Sequence, residues 1–293
     1  RSHFDSERNW ERGTASWTVT DGFLNRYLSG LGDADRLAGV GRGTGLPASL
    51  AGGFPAMSMG SIDSFDVTGF ADNAKAHDLL AAWYDGGSSD LVMRTGASTL
   101  DSIGLVTGTD WNLPKYQPQN GATYGSDDLA QDLREVAMLI RADVGLRVAA
   151  IDVHGWDTHE GQNAPEDATS WYRYQVSALA AALAAFDRDL GTDRNEVTVF
   201  TMTEFGRTIG ENGNAGTDHG RASAMFVMGG KVKGGVYGSF PATIVDGPEG
   251  DLPVLNDYRR VVSEVLQVRG ASPDVGAVFP TYTPDAPLGL TLP

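Results

Sequence analysis

The sequence predicts an α/β fold in which a largely parallel central sheet is flanked by helices on both faces. From residue 126 onward, apolar segments of strand length alternate with amphipathic segments of helix length, the order typical of strands connected by crossover helices. The predicted strands are continuous apolar runs, which indicates that both faces of the sheet are covered. The 293 residues are enough for one domain of this kind, and we expect a single domain over residues 1–293.

In the first half of the chain the signals are short. Residues 20–32 have the apolar spacing of a helix that ends at glycine, and residues 73–86 predict a second helix with a glycine stop. Residues 61–70 alternate in the manner of a strand or an extended loop. Residues 109–128 are rich in Pro, Asn, Gly and aromatic side chains and predict a long surface loop. Loops of that length often carry function.

The second half is more regular. A helix is predicted over 126–145, with Ser126 or Asp127 as its N-cap and an apolar stripe facing the core. The later elements are a strand at 146–153, an alanine-rich helix at 168–191, strands at 195–203 and 223–230, and an amphipathic helix at 256–270. The sequence therefore predicts its main sheet from the strands of this half.

Composition excludes several classes of function. The formal net charge of −16 argues against nucleic acid or an anionic membrane as the main partner. The chain has no cysteine, so disulfides, zinc–thiolate sites and cysteine nucleophiles are excluded. No run approaches the roughly 20 apolar residues of a membrane-spanning helix. We expect neither a membrane span nor a nucleic-acid partner.

Ionisable side chains concentrate where the predicted strands end. In open α/β sheets, ligands bind at the carboxyl ends of the strands. Four of the five histidines belong to this group, and only His77 lies elsewhere. The group consists of Asp152, His154, Asp157 and His159 after the first strand, Glu204 and Arg207 after the second, Asp218, His219 and Arg221 beyond them, and Ser2, His3 and Asp5 near the start of the chain.

This mixture of side chains predicts a divalent metal site. Carboxylates combined with neutral imidazoles suit Zn²⁺, Mn²⁺ or Fe, whereas carboxylates alone suit Ca²⁺. Asp157 and His159 are two residues apart, so in an extended segment both side chains point to the same side. We expect a divalent ion, with Zn, Mn, Fe or Ca as the candidates, bound at the edge of the sheet.

Structural roles are also open to these residues. Glu204 and Arg207 are spaced as a structural ion pair would be, and Asp218 is placed where it could cap a loop. Ser2 and Asp5 could cap a helix running through Trp10. We prefer one shared site, because all of these groups are expected at the same edge of the sheet.

Four sequence blocks together resemble a known family. They are RSHFDSERNWERG, GWDTHEGQ, TEFGRT and GTDHG, and in this order they are similar to the bacterial family catalogued as domain of unknown function 1501. That family resembles the alkaline phosphatase and sulfatase superfamily. The resemblance implies a secreted, periplasmic or cell-surface protein, often with twin-arginine export. It also implies an N-terminal strand with a metal-binding aspartate, ending in a Gly-Gly-x-Asp-Gly-like motif.

No counterpart of that strand occurs in residues 1–293. The resemblance therefore implies a fold that is incomplete at its N-terminus. A segment of the same precursor, cleaved but still bound, is then an expected partner.

The resemblance also implies a reaction. Two divalent ions activate a serine or threonine that attacks a phosphate or sulfate ester, and water hydrolyses the covalent ester that forms. Ser2 resembles the nucleophile. Asp157, His159 and His219 resemble the ligands of one ion. Arg207 or Arg221 would hold the anionic group of the substrate.

At the second ion this chain departs from the pattern. Glu204 is followed by Phe205, where relatives commonly have Asp-His, and phenylalanine cannot bind a metal. The remaining side chains would compensate or orient the ligands: His3, Asp5 or Asp218 as substitutes, and Asp152 and His154 as groups that position the first ligands.

Three functions follow. The leading hypothesis is a metal-dependent hydrolase of phosphate or sulfate esters. The second is a secreted scaffold or binding protein that keeps the fold without catalysis, which the departure at Phe205 favours. The third is a structural domain of a larger surface assembly.

Overall fold

The computed structural model describes residues 2–32, 37–43, 45–84, 90–107, 115–241, 250–270 and 274–292. Its helices are α1 (His3–Arg12), α2 (Phe23–Gly30), α3 (Asn73–Tyr84), α4 (Leu91–Thr107), α5 (Asp128–Arg141), α6 (Trp171–Leu190), α7 (Tyr258–Arg269) and α8 (Val275–Val278). Its strands are β1 (Gly39–Arg42), β2 (Met57–Met59), β3 (Val148–Ile151), β4 (Thr198–Phe200) and β5 (Val227–Gly229). The mixed α/β class is as predicted.

One sheet is parallel. It has three strands in the order β2-β1-β3, with Val40 opposite both Met57 and Ala149. The sequence predicts β3 but misses β1 and β2. These strands are only four and three residues long, and glycine occupies two positions of β1, so they show too few side chains for a pattern to be visible.

The second sheet corrects the prediction of a largely parallel arrangement. Strands β4 and β5 pair with each other in antiparallel register, Val199 opposite Met228. In the described part of the chain they form a separate two-stranded sheet. The predicted burial is also too strong, because every residue of β3, β4 and β5 is only partly buried.

Helices cover β3 on both faces, as predicted. Ala149 and Ile151 pack against a core cluster that includes buried residues of α5 and α6. Val148 and Ala150 pack against a second cluster, which is built from α2, α7 and α8. The alternation of side chains along a strand sends successive residues to opposite faces.

Helix α5 begins as expected. Asp127 is its N-cap, and the side chain accepts a hydrogen bond from the Ala130 amide at 3.1 Å. The ends of other helices are set in the same way, with Ser170 capping α6 and Asp257 capping α7. These caps supply acceptors for amide groups that have no partner within the helix.

Residues 61–70 do not form a strand. Ile62–Ser64 is a turn of 3₁₀ helix, and the residues after it are irregular, so the extended-loop alternative is nearer to the structure. Of the predicted loop at 109–128, residues 109–114 lie outside the described part. Residues 115–127 contain neither helix nor strand. No described helix combines the length and apolar character that a membrane span requires.

Helix α1 is fixed at its C-terminal end, and this positions its N-terminal end. The Trp10 ring stacks on Tyr258 of α7 with centroids 3.8 Å apart, and the Tyr258 hydroxyl donates to the Trp10 carbonyl at 3.1 Å. From α2, the Arg26 guanidinium donates to the carbonyls of Arg12 and Val278. The opposite end of α1 carries Ser2 and His3.

Asp189 holds the segment before α5 against α6. Its carboxylate is fully buried and accepts hydrogen bonds from the Tyr116 hydroxyl at 2.8 Å, the Tyr124 hydroxyl at 2.9 Å and the Gln119 amide at 2.6 Å. Burial and the hydrogen bond to Asp189 raise the pKa of both tyrosines, so both hydroxyls stay protonated as donors. A buried carboxylate is tolerated because several donors surround it.

We expect Asp189→Ala to destabilise the fold by about 3 kcal/mol, because three hydrogen-bond donors, of which the Tyr116 hydroxyl is buried, lose their acceptor together. Tyr116→Phe removes one of these hydrogen bonds and should cost about 1 kcal/mol. Urea denaturation of both variants measures the difference. Equal midpoints for Asp189→Ala and the unmodified protein would contradict the assigned role.

Candidate metal centre

Four chain segments meet at one carboxylate, that of Asp157. The segments are the N-terminus of α1, the loop after β3, the loop after β4, and residues 217–221. One ligand atom each of His3, Asp157 and His219 lies within 4.8 Å of the other two. We call the group His3, Asp157, His159 and His219 the histidine cluster.

The Asp157 carboxylate has nitrogen atoms of other side chains close to both oxygens. Its Oδ1 accepts from Arg207 Nη1 at 2.7 Å and lies 3.0 Å from the Nε2 atoms of both His159 and His219. Its Oδ2 lies 3.2 Å from His3 Nε2. Burial raises the pKa of Asp157, but the hydrogen bonds from Arg207 and His219 and the nearby histidines outweigh it and lower the pKa to about 2. Asp157 is therefore ionised at neutral pH.

Two histidines are oriented by other carboxylates. His3 Nδ1 lies 2.7 Å from Glu204 Oε1, and His159 Nδ1 lies 2.8 Å from Asp218 Oδ1. An ionised carboxylate only accepts, so each Nδ1 carries the proton, which leaves the lone pair of a neutral ring on Nε2. Both Nε2 atoms lie next to Asp157. This carboxylate–imidazole arrangement is the one that orients metal-binding histidines.

The distances within the cluster fit a single ion. His159 Nε2 and His219 Nε2 are 2.9 Å apart, and both lie 3.0 Å from Asp157 Oδ1. Ligand atoms about 2.0–2.1 Å from a tetrahedral Zn²⁺ lie about 3.3 Å from one another. Only a small expansion of this triangle is therefore needed. His3 Nε2 is buried and, among the described residues, has no hydrogen-bond partner, so it is free to act as a further ligand.

Glycine lets the loops approach this closely. The Gly206 amide donates to the Arg221 carbonyl at 3.0 Å, and a Cβ at Gly206 would lie 1.7 Å from the Ala222 carbonyl oxygen. A Cβ at Gly216 would lie 2.3 Å from the carbonyl carbon of His159. Side chains at these positions would push apart the segments that carry Arg207, His159 and His219.

Asp157, His159 and His219, the three residues that resemble the ligands of one ion, lie within hydrogen-bonding distance of one another. Glu204, predicted as a ligand, instead binds His3, and its other oxygen accepts from the Thr203 hydroxyl at 3.0 Å. Burial raises the pKa of Glu204, but its hydrogen bonds outweigh this and lower the pKa. Asp218, proposed as a substitute ligand, orients His159.

His3 occupies a more central position than the sequence indicates. The sequence indicates only a substitute for a missing ligand, whereas the His3 Nε2 faces Asp157 directly. It lies 201 residues from its partner Glu204, so no local spacing could have revealed the contact. The only signal was a histidine directly after a helix N-cap.

The two arginines differ in their engagement. Arg207 contacts Asp157 and donates from Nε to the Thr217 hydroxyl at 3.1 Å. The Arg221 side chain is 53 % exposed and lies 3.5 Å from Asp251. Arg207 therefore contacts the histidine cluster directly, whereas Arg221 pairs with a carboxylate outside it.

Ser2 makes the helix-capping contact that the sequence allowed as an alternative, whereas the Asp5 side chain pairs within the helix. Ser2 is the N-cap of α1, and its Oγ accepts from the Asp5 amide at 3.4 Å. The Asp5 carboxylate accepts from Arg8 at 3.0 Å. Ser2 is nevertheless exposed and adjoins His3, so it lies at the border of the cluster.

Asp152 and His154 interact with other parts of the chain. Both are exposed, and the charge of Asp152 acts on Glu11, where it adds to a pKa that burial already raises. The His154 carbonyl accepts from the Gln175 side chain at 2.9 Å, which ties the loop to α6. That these two residues position the ligands stays a prediction.

Phe205 fills the place next to Glu204 with an apolar ring. Only 8 % of it is exposed. Its centroid lies 4.8 Å from that of His3 and 4.4 Å from that of His219. Phe205 therefore supports two imidazoles of the cluster by packing.

Comparison with known proteins supports part of the family resemblance. The model of a family described as protein of unknown function (DUF1501) matches residues 113–250. This range includes Asp157, His159, Glu204, Arg207 and His219, but not α1. None of the curated proteins matches the chain, and none of the solved structures does.

Gly206→Ala should separate the loops of the cluster, because its Cβ has no space beside Ala222. We expect a loss of about 1–3 kcal/mol in the free energy of unfolding, as for other overpacked sites. Gly210→Ala is the matched control, since a Cβ at Gly210 meets nothing within 4 Å. Chemical denaturation compares the two, and equal stabilities would show that the close approach is unimportant.

Proposed function

We propose that this protein is a metal-dependent hydrolase of phosphate or sulfate esters. The observation that carries the proposal is the convergence of three imidazole Nε2 atoms on Asp157, with two of the rings held at Nδ1 by Glu204 and Asp218. The reaction itself rests on the resemblance to the phosphatase and sulfatase superfamily. The family matched by the chain has no known function.

The ligand chemistry favours Zn²⁺, Mn²⁺ or Fe over Ca²⁺, because imidazole nitrogen outnumbers carboxylate oxygen around the expected position. His3, Asp157, His159 and His219 would hold the ion. Phe205 offers no ligand atom at the place of a second ion, so we expect one ion per chain.

Ser2 is the proposed nucleophile. It begins α1, whose free amide groups and dipole favour an anionic group at that end, and it directly precedes His3. A divalent ion bound in the cluster would lower the pKa of a nearby hydroxyl and stabilise negative charge on the ester.

Arg207 is the proposed anion-binding residue. Its guanidinium now contacts Asp157 Oδ1, the oxygen that also lies within 3.0 Å of two imidazoles. Ion binding at Oδ1 competes with this contact, since both are cations on one oxygen. We expect Arg207, once released, to bind the anionic group of the substrate.

We propose that the expected N-terminal segment would lie between β3 and β4. Both strands contribute to the same two core clusters: Ala149 and Val199 to one, Ala150 and Phe200 to the other. Each is paired on one side only in the described residues. An added strand would complete both edges, in the manner of other extended peptides that bind sheet edges.

The two strands also run in the same direction. Burial raises the pKa of Tyr27, and the charges of Arg147 and Arg269 oppose this rise, so both arginines lie near the same tyrosine. Arg147 precedes β3, and Arg269 donates to the Val197 carbonyl, which precedes β4. Beyond the other ends, Asp157 and Glu204 both contact His3. A strand placed between them could end at the histidine cluster. We propose that this strand comes from the same precursor, exported to the periplasm or cell surface.

Metal analysis is the first test. We expect about one equivalent of Zn, Mn or Fe in the protein purified without chelator. The double variant Asp157→Ala/His159→Ala should lose it, and Glu204→Gln should weaken binding about 10–100-fold through His3. His77→Ala, which changes a histidine on α3, is the control and should keep the metal. An empty protein that takes up no metal on dialysis would refute the proposal.

Turnover separates the hydrolase from a scaffold with the same fold. Aryl phosphate and aryl sulfate esters should be hydrolysed, and the activity should disappear with chelator or with Ser2→Ala. Metal binding without turnover, unchanged by Ser2→Ala, would favour the scaffold, for which the presence of Phe205 and the capping contact of Ser2 are the supporting observations.

The added strand can be tested by hydrogen exchange. A precursor that includes the upstream segment should protect the amides of β3 and β4 about tenfold or more relative to residues 1–293, because two open edges become paired. The amides of β2 are the internal control. Equal exchange in β3 and β4 would exclude the segment from that position.

A further inference from the structure

A cavity of about 540 Å³ lies beside the histidine cluster and has no role in the proposed chemistry. It lies between α1, the segment Glu204–Phe205 and residues 254–258. Its volume is in the range of sites that bind small organic molecules. Glu204 and Phe205 line the cavity and also contact histidines of the cluster. A ligand in the cavity would therefore reach toward the cluster.

One wall is aromatic and rigid. It consists of Trp10 and Tyr258, whose rings are stacked at 3.8 Å with an interplanar angle of 24°. The hydrogen bond from Tyr258 to the Trp10 carbonyl fixes their positions further. Burial raises the pKa of Tyr258, so its hydroxyl remains a neutral donor. A preformed aromatic face favours flat, apolar groups, because little ordering is needed on binding.

Another part of the cavity lining exposes aliphatic side chains. Val254 is 62 % exposed and Leu255 is 44 % exposed. The segment is held in place by Asn256, which donates to the Ser239 carbonyl at 2.9 Å and accepts from its amide at 2.7 Å. An apolar ligand that covers this surface would remove it from water, which favours binding, and the surface is already fixed in position.

The charged groups of the cavity suit an anion at one end. Arg221, which lies 3.5 Å from Asp251, contributes a partly exposed guanidinium to the lining. The two acids are already engaged: Glu204 binds His3 and Thr203, and Asp257 binds Arg259 at 2.7 Å while capping α7. The cavity therefore combines apolar walls with a cationic side chain near the cluster.

We propose that this cavity binds the organic part of the substrate, and that this part is flat and apolar. The inference rests on the proposed function, since it places the anionic group of the same molecule at the cluster. Phe205 then has a second role, as the wall that separates the imidazoles from the apolar part of the substrate. Esters of apolar alcohols or phenols fit this site better than esters of sugars do.

Binding of two phosphonates by calorimetry tests the proposal without turnover. Phenylphosphonate and methylphosphonate carry the same anionic group, and benzyl alcohol carries only the ring. We expect phenylphosphonate to bind at least about tenfold more tightly than methylphosphonate, because burial of a phenyl ring contributes at least that factor. Val254→Glu should remove the preference. Val236→Glu, the same change at another exposed valine, should leave it intact.

The outcomes separate the cavity from the reaction. Equal binding of both phosphonates would contradict the proposed role of the cavity but would remain consistent with an anion site at the cluster. Binding of benzyl alcohol that depends on Val254, without binding of either phosphonate, would support the cavity and count against the hydrolase. No binding of any of the three compounds would contradict both the proposed role of the cavity and the proposed hydrolase function.

Discussion

The carboxylate of Asp157 is the constraint on which the arrangement of the site depends. Asp157, Glu204 and Asp218 bring three negative charges into one small region, which is unfavourable unless donors separate them. Arg207 and the imidazoles of His3, His159 and His219 lie between these acids. Each segment of the site contributes at least one acid or one donor, so the segments are stable only in combination.

The rest of the fold serves to bring these segments together. Helix α1 is fixed by Trp10 and Arg26 at the end away from the site, which leaves His3 free to face Asp157. The loops that follow β3 and β4 approach each other, since Asp157 of one loop and Glu204 of the other both contact His3. Gly206 and Gly216 remove the side chains that would hold the loops apart. The fold thus brings the histidines together, and hydrogen bonds to Glu204 and Asp218 orient the His3 and His159 imidazoles without a metal.

Phe205 connects the two halves of the proposed substrate site. As a ligand it would have been of no use, and its occurrence weakens the case for a second ion. As a packing residue it supports His3 and His219 on one side and borders the apolar cavity on the other. In the proposed function, the side chain at position 205 therefore bears on both the number of ions and the kind of molecule that fits beside them.

The sequence by itself determined the α/β class, the helices α5, α6 and α7, the strand β3, and the grouping of Asp157, His159 and His219. These follow from local periodicity, from capping residues and from the rule that strand ends share an edge. Only the tertiary structure decided that β4 and β5 pair in antiparallel register, that Glu204 orients His3, and that Arg207 contacts Asp157. The physical reason is that these contacts join residues far apart in the chain, and their partners are chosen by packing and charge compensation, which leave no periodic trace in the sequence.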